Sequence, residues 1–386
     1  MRQEESGAEL DDLPDEILVG KILMLLPPKD VGRCRAVCSS WRSATSTPEF
    51  MLDHHRRQPL LPVVDIYGGR PGVLRGPVDR VACQRLWPGL LPPWHRIHAT
   101  GHGFLVVSHY QLGSGYHICN PAIHQIALLP QPEFLPKNAI LGLYRHDATG
   151  EYRMLWSSGH GWDETTLYVL TVGDDKSRNV GLSSVSPPSL QHAVLDALPR
   201  GRYTAYNPPV HHRGNLHWMP TCHAEIVVFD TDTESFRLMR SATNSHCLEK
   251  LFDLEGKLAF SSHDSRSTYM DVWLMEDYAA EIWDLKYRID LSSIQASPRP
   301  RSSASPKRIY KSRKMMATDV APTTRFLSEL VMVNERELLA GFSDKHVLRC
   351  NIDGKLSGMA NIKGQCCYME ISPYRFKQSI LPIPLI

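Results

Sequence analysis

The spacing of apolar residues changes character once along the chain, near residues 59–62. Upstream the pattern is helical. Pro14 suits the first turn of a helix, and Asp15 and Glu16 complement the partial positive charge at its amino end. Ile17, Leu18, Ile22, Leu23, Leu25 and Leu26 come next as an apolar set. Pro27 and Pro28 then stop the helix, because proline lacks the amide donor that a helix interior needs. Asp30 is placed to cap a second helix, on which Cys34, Val37, Cys38 and Trp41 fall at i, i+3, i+4 and i+7 as one apolar face. Arg33, Arg35 and Arg42 lie elsewhere on that wheel, and Pro48 closes the segment. A unit of ~40 residues is too small to bury a good core alone. Its apolar residues exceed what two short helices hide from each other. The surplus is expected to face a partner protein, with packing on the rest of the chain as the plainer alternative.

Downstream, short runs rich in Val, Ile, Leu and aromatics alternate with Gly, Pro, Asn and Asp. Strands are expected at 103–108, 115–121, 125–130, 140–144, 152–156, 166–172, 214–219, 224–230, 236–239, 250–253, 257–260, 269–275, 280–287, 338–342 and 346–350. By composition, 147–151 and 230–235 are hairpin loops. One unit recurs loosely, an apolar strand ending in Asn-Pro or Asp-Thr, a polar turn and a second strand. It begins at Asn120, Asp147, Asp230 and, more weakly, Asn351. Repeated hairpins point to a β-propeller, and about 320 residues at ~45 per blade allow six or seven blades. A large irregular β-sandwich is the alternative.

Composition adds limits. The 386 residues are 42% hydrophobic and 22% charged, within the ordinary soluble range. No apolar run approaches the ~18 residues of a membrane span. The amino end, Met1-Arg2-Gln3-Glu4-Glu5, is polar and unlike a secretory signal. Nine cysteines, an odd number without repeating spacing, argue against a disulfide framework and for a reducing cytoplasmic or nuclear setting. The formal charge of +2 is unevenly spread: residues 1–52 carry a net −3, residues 291–318 a net +7, and the remainder −2. The basic stretch is rich in Ser and Pro and lacks an apolar period, so it reads as a flexible excursion. Within it, Lys307 to Lys314 is a candidate import signal or phosphate-binding strip, and Ser297 and Ser305 precede prolines as candidate phosphate acceptors.

Leu13-Pro14-Asp15-Glu16-Ile17-Leu18, Ile22-Leu23-Met24-Leu25-Leu26-Pro27-Pro28, Val37-Cys38-Ser39-Ser40-Trp41-Arg42 and Pro48-Glu49-Phe50 together resemble an F-box motif over residues 10–50. One departure stands out. The interval between the first Leu-Pro and the Ile-Leu pair is a residue too long, with Gly20 as the extra one, and an insertion in a helix rotates the downstream face by ~100° unless a bulge absorbs it. The resemblance implies docking on the Skp adaptor, and through it on a cullin and RING subunit. It also implies Leu13, Pro14, Leu18, Ile22, Leu26, Pro27, Val37 and Trp41 as the docking and F-box core residues. Further along, Gly214-Asn215-Leu216-His217-Trp218, Phe229-Asp230 with Glu234-Ser235-Phe236, and Asp271-Val272-Trp273-Leu274-Met275 with Trp283 resemble the Kelch-like F-box-associated domain of plant F-box proteins, although the Kelch diglycine is missing. The expected fold class is therefore α plus all-β in two domains. Residues 1–9 form a disordered tail, 10–52 the helical F-box and 53–62 a linker. Residues 63–386 form a large β-propeller-like domain with a flexible loop at 291–318.

Candidate chemistry changes this little. His95, His98 and His102 would share a helix face, but Pro92-Pro93 and Gly101 argue against a helix, and no carboxylate or Cys stands at ligand spacing. His211, His212 and His217 invite the same question and receive the same answer. Cys34 and Cys38 read as small core residues, and Cys366 and Cys367 as reduced thiols. No phosphate-cradling loop and no Gly-x-Ser-x-Gly elbow occurs. Asp174-Asp175 and Glu276-Asp277 sit in polar turns. No metal, cofactor or catalytic residue is expected, nor a membrane or nucleic-acid partner. The expected role is that of a non-catalytic ubiquitin-ligase subunit bringing a target protein to the ligase, with a propeller-fold enzyme or a nuclear binding module as the alternatives.

Overall fold

The computed structural model describes residues 14–66, 70–75, 82–85, 95–109, 115–130, 139–158, 165–174, 176–180, 182, 187–197, 207–219, 225–243, 248–263, 268–297, 327–360 and 369–384. The segments expected as a disordered tail (1–9) and as an import signal (307–314) lie outside them, as do Leu13, Cys366 and Cys367.

Apolar runs that do not alternate become strands buried on both faces. In Phe104-Leu105-Val106-Val107, Leu105 and Val107 pack with Leu61, Val63 and Phe376 of one neighbouring sheet. Phe104 and Val106 pack with Leu143, Met154 and Trp156 of the other. Repeated around the molecule, this packing gives six four-stranded antiparallel sheets among the described residues.

The first sheet holds β1 (Leu60–Ile66), β2 (Arg70–Arg75) and β3 (Ala82–Arg85). The second holds β4 (His95–Gly101), β5 (Phe104–His109), β6 (Tyr116–Asn120) and β7 (Gln125–Leu128). The third holds β8 (Ala139–Arg145), β9 (Tyr152–Ser158), β10 (Thr166–Thr171) and β11 (Ser177–Asn179). The fourth holds β12 (Val210–His212), β13 (Asn215–Trp218), β14 (Glu225–Asp230) and β15 (Ser235–Arg240). The fifth holds β16 (Leu248–Leu254), β17 (Lys257–His263), β18 (Tyr269–Asp277) and β19 (Ile282–Asp290). The sixth holds β20 (Leu327–Asn334), β21 (Glu337–Phe342), β22 (Val347–Asn351) and β23 (Leu356–Met359).

The last strand, β24 (Met369–Lys377), pairs antiparallel with β1, Leu60 opposite Lys377 and Ile66 opposite Met369. The carboxyl end of the chain thus completes the first sheet and closes the ring. A separate apolar cluster fills each of the six gaps between neighbouring sheets. That arrangement is a propeller and not a two-layer sandwich. The innermost strands β24, β4, β8, β12, β16 and β20 gather round the axis.

Turn chemistry repeats with the blades. His102-Gly103, Arg213-Gly214 and Glu255-Gly256 join first to second strands, and both residues of each pair have positive φ, the two-residue hairpin turn that matches strand twist. The recurrent unit seen in the sequence closes the third and fourth strands. Asp230 Oδ1 accepts from the amides of Asp232 and Thr233, and Asp277 Oδ1 from those of Ala279 and Ala280. Glu234 and Glu281 take positive φ at the end of these turns and reach back to the preceding blade. Glu234 accepts from Tyr144 Oη (2.8 Å) and Arg153 Nη1 (2.7 Å), and Glu281 from Arg237 Nη1 (3.1 Å). The copy read at Asp147 falls instead between first and second strands, and the copy at Asp277 was not evident in the sequence.

In line with the argument against a helix there, His98 lies on a strand and His102 in a turn, so no helix face unites the histidines. Other expectations need correction. Residues 53–62 are no linker: α4 (Pro48–Arg57) runs through them and β1 starts at Leu60. The basic excursion does not begin at 291, because Leu291 and Ile294, on the short helix α6 (Ser292–Gln295), are buried between the fifth and sixth blades. Residues 298–318 lie outside the described residues. A further helix, α5 (Pro188–Ala197), covers the gap between the third and fourth blades. No helix among the described residues is long and apolar enough to cross a membrane.

Candidate protein-docking site

The helical unit starts with a single α turn, α1 (Asp15–Ile17), widens into a π turn over Leu18–Ile22 and tightens into a 3-10 turn over Leu23–Leu25. The Leu23 amide approaches both Leu18 O and Val19 O, so the wide turn absorbs one residue beyond the ordinary helical repeat. Gly20 sits inside it, where the sequence carries its extra residue. The consequence is a five-residue spacing of faces. Leu18 and Leu23 are buried, while Ile17 and Ile22 point outward. Leu18 and Ile22, four residues apart, therefore lie on different sides of the unit.

Helix α2 (Pro28–Val37) begins directly after Pro27, which places Pro28 at a first-turn position that needs no amide donor. Asp30 is not its cap but a first-turn residue, paired with Arg33 Nη1 at 2.7 Å. Cys38 is extended (φ −133°, ψ 132°), which separates α2 from α3 (Ser39–Thr45). That break dissolves the predicted apolar face. Cys34 and Trp41 lean on the core, whereas Val37 is 79% exposed. Arg35 knits the two helices, donating from Nε to Thr45 Oγ1 (2.9 Å) and from Nη2 to Thr45 O, and Arg42 Nε donates to Arg35 O (2.8 Å). Pro48 does not end the unit; it opens α4, with Thr47 Oγ1 accepting from the Phe50 amide at 3.2 Å.

The core of this unit is Leu23, Met24, Val31, Phe50 and Ile380, with Leu26, Trp41, Met51 and Ile123 around it. Ile380 and Ile123 belong to the propeller side of the molecule. Helix α4 and residues 378–383 form the joint. His54 Nε2 donates to Leu26 O (2.8 Å), and Lys377 Nζ donates to Arg56 O (3.3 Å). Asn120 Nδ2 donates to Ser379 O (3.1 Å) and Leu381 O (2.7 Å), and the Ile383 amide donates to Gln125 Oε1 (2.8 Å). Gly103, at φ +86°, is required here twice over: a Cβ would lie 2.0 Å from Ser379 Cβ. Burial beside Lys377 pushes the His55 imidazole down to about 4, so the ring meets the tail neutral.

Of the eight residues singled out from the sequence, Leu18 is core, Leu26 and Trp41 are half-buried against the core, and Pro14, Ile22, Pro27 and Val37 face solvent. Leu13 lies outside the described residues. Two outward residues were not singled out: Ile17, and Leu25, which is 70% exposed. Both were visible as apolar residues, but the π turn that turns them outward has no hydrophobic signature. Among the described residues no group of three or more His, Cys, Asp or Glu side chains could hold a metal ion. The acidic turn residues do local work: Asp174 Oδ1 accepts from the Lys176 amide, Asp277 caps its turn and Glu276 pairs with Lys257.

A short helical unit with exposed apolar residues is thus fused to a closed propeller. The sequence matches the F-box-like family over residues 10–57 and the F-box associated beta propeller domain family over residues 92–299, more than half of the chain. The chain belongs to the F-box associated beta propeller domain family. No curated protein matches it. Among solved structures it is similar to TolB from Acinetobacter baumannii, at 10% identity and TM-score 0.39 over 78% of this chain and 62% of that one. It is also similar to YCF48 from Cyanidioschyzon merolae, at 9% identity and TM-score 0.38 over 78% and 84% of the two chains. A chain in a nidogen/laminin complex matches at 10% identity and TM-score 0.32 over 58% and 78%. The chain thus spans less than two thirds of the TolB chain, and likenesses this distant carry no argument about function.

Proposed function

We propose that the chain is the substrate-recognition adaptor of an SCF-type ubiquitin ligase, acting in the cytoplasm or nucleus. The helical unit docks on the Skp adaptor, and through it on the cullin and RING subunits, and the propeller binds the target protein. The observation that carries this reading is the one-sided burial of the helical unit. Its inner side is filled by its own residues and by Ile380 and Ile123, while Pro14, Ile17, Ile22, Leu25, Pro27 and Val37 stay outside. An apolar helical surface of this kind suits a groove on another protein. Leu18, Leu26 and Trp41 then shape the surface from beneath. The chain contributes no chemistry of its own. Holding a target lysine close to the charged conjugating enzyme makes its attack effectively intramolecular.

The test is co-elution of the purified full chain with a recombinant Skp adaptor on size exclusion. Co-elution is expected, as is its loss in a Leu25→Asp, Val37→Asp double variant that keeps its folded circular dichroism spectrum. Separate elution of the unmodified chain and the adaptor at micromolar concentration contradicts the reading.

A further inference from the structure

We propose that the cleft between the fourth and fifth blades is a pocket for an acidic side chain, carboxylate or phosphate, presented by a peptide segment; this rests on the reading of the propeller as the target-binding domain and names the chemistry it selects. The cleft has a volume of about 270 Å³ and is lined by His212, Arg213, Gly256, Lys257, Met275, Glu276 and Tyr278. All of these lie at the end of the sheets where the helical unit is attached. The hydrogen bonds of the joint are made to the first two blades, and none of the cleft residues takes part in them.

Tyr278 is the fixed wall, and the family-like strand Gly214 to Trp218 supplies what fixes it. His217 Nδ1 lies 3.1 Å from Val210 O, an acceptor, so Nδ1 carries the proton. Its Nε2 then accepts from Tyr278 Oη at 2.8 Å, and the same oxygen accepts from Arg237 Nη2 at 3.3 Å. Burial holds His217 neutral, pushed down to about 3, which keeps this polarity of the chain of bonds. A buried histidine without catalytic work thus becomes a positioning residue for a pocket wall on the next blade.

The cations converge on that wall. Arg213 is held in a positive-φ turn with its guanidinium 5.5 Å from the Tyr278 ring centre. Among the described residues no carboxylate pairs with it. Lys257 meets Glu276 at 3.3 Å, but both side chains are about half exposed, so the pair is weak and open to exchange. Of the nearby acids, Glu281 holds Arg237. Asp253, which accepts from the Gly256 amide, and Asp230, which caps its own turn, place negative charge beside His212 and Tyr278, so an anion is held by Arg213 and Lys257 against them. Gly256 leaves the entrance free, since nothing lies within 4 Å of where its Cβ would be. Met275 supplies an apolar contact beside the two positive charges. A guanidinium, an exchangeable ammonium and an apolar floor fit an acidic residue flanked by a hydrophobic one.

Fluorescence polarisation with the full chain tests this, using labelled Glu-Glu-Leu repeat peptides, their Gln-Gln-Leu counterparts and a phosphoserine version. Acidic probes are expected to bind at least about tenfold more tightly than the glutamine probe and to weaken steeply with salt. Arg213→Glu with Lys257→Glu removes that preference; glutamate already occupies the same kind of turn position at Glu255, so the fold tolerates it. Whether the carboxylate or the phosphoserine probe binds more tightly identifies the source of the anion. Equal binding of acidic and neutral probes, no binding up to about 1 mM, or undiminished binding by the charge-reversed variant overturns the proposal. Skp-adaptor co-elution is measured on the same proteins. Its loss in the unmodified chain removes the ligase reading without touching the peptide result, and its retention in the charge-reversed variant shows that the variant is folded.

Discussion

The helical unit and the blades are built from the same apolar residue types, and they dispose of them differently. Phe104, Val106 and Ile118 are sealed between two sheets, whereas Leu25 and Val37 are 70% and 79% exposed. A blade has a neighbour on each side, and β24 removes the ends of the ring, so both faces of every sheet are covered. The helical unit has one neighbour. Tail residue Ile380 and turn residue Ile123 cover its inner side, and among the described residues nothing covers the other. The lesson is that exposure here comes from topology and not from a shortage of apolar residues to pack.

The comparison is broken most severely from the propeller side. Phe229→Ala removes a ring buried between the third and fourth blades and is expected to cost about 3–5 kcal/mol, read by urea unfolding. Gly103→Ala attacks the joint. Its strained φ and its collision with Ser379 are expected to cost about 3 kcal/mol and to open the chain to proteolysis near residue 58, with Ser379→Gly restoring part of the loss.

Acid sharpens the comparison. His98 and His217 are pushed down to about 3, and His211 to about 4, by burial within the propeller. Their folded values lie below the unfolded value near 6.5, so unfolding takes up protons. Their contribution to stability is complete above pH ~6.5 and declines as pH falls toward the folded values, by about 2 kcal/mol per histidine at pH 5. A melting temperature that falls between pH 7 and pH 5 checks the sign. The smallest expected effect is on the stability of Leu25→Asp or Val37→Asp, within about 0.5 kcal/mol in the free protein.

The two middle strands of blades two to six were legible in the sequence because burial on both faces leaves dense apolar runs, as in Phe104 to Val107 and Ile226 to Phe229, whereas β1, β2 and the outermost strands β3, β11 and β23 were not. Nor were several inner strands. β4 carries His95, Arg96, His98 and Thr100, and β12 is only Val210-His211-His212, because strands at the axis need no continuous apolar sequence. Pro48 was read as a stop although it is equally a start, and only Thr47 before it distinguishes the two. In the docking site, the residue types were legible and their sides were not. The π turn at Gly20 and the break at Cys38 each rotate the adjoining helical residues, which sends Ile17, Leu25 and Val37 outward and Leu18 inward. Tyr278 was missed because its role comes from His217, 61 residues away, which no local pattern reports.

Hydrogen–deuterium exchange on the full chain, with and without the Skp adaptor, tests the central claim most directly. Protection is expected in peptides covering residues 15–37, with the amides of β5 and β14 unchanged. Unchanged exchange across residues 15–37 in the presence of saturating adaptor, or protection confined to the blades, contradicts the account.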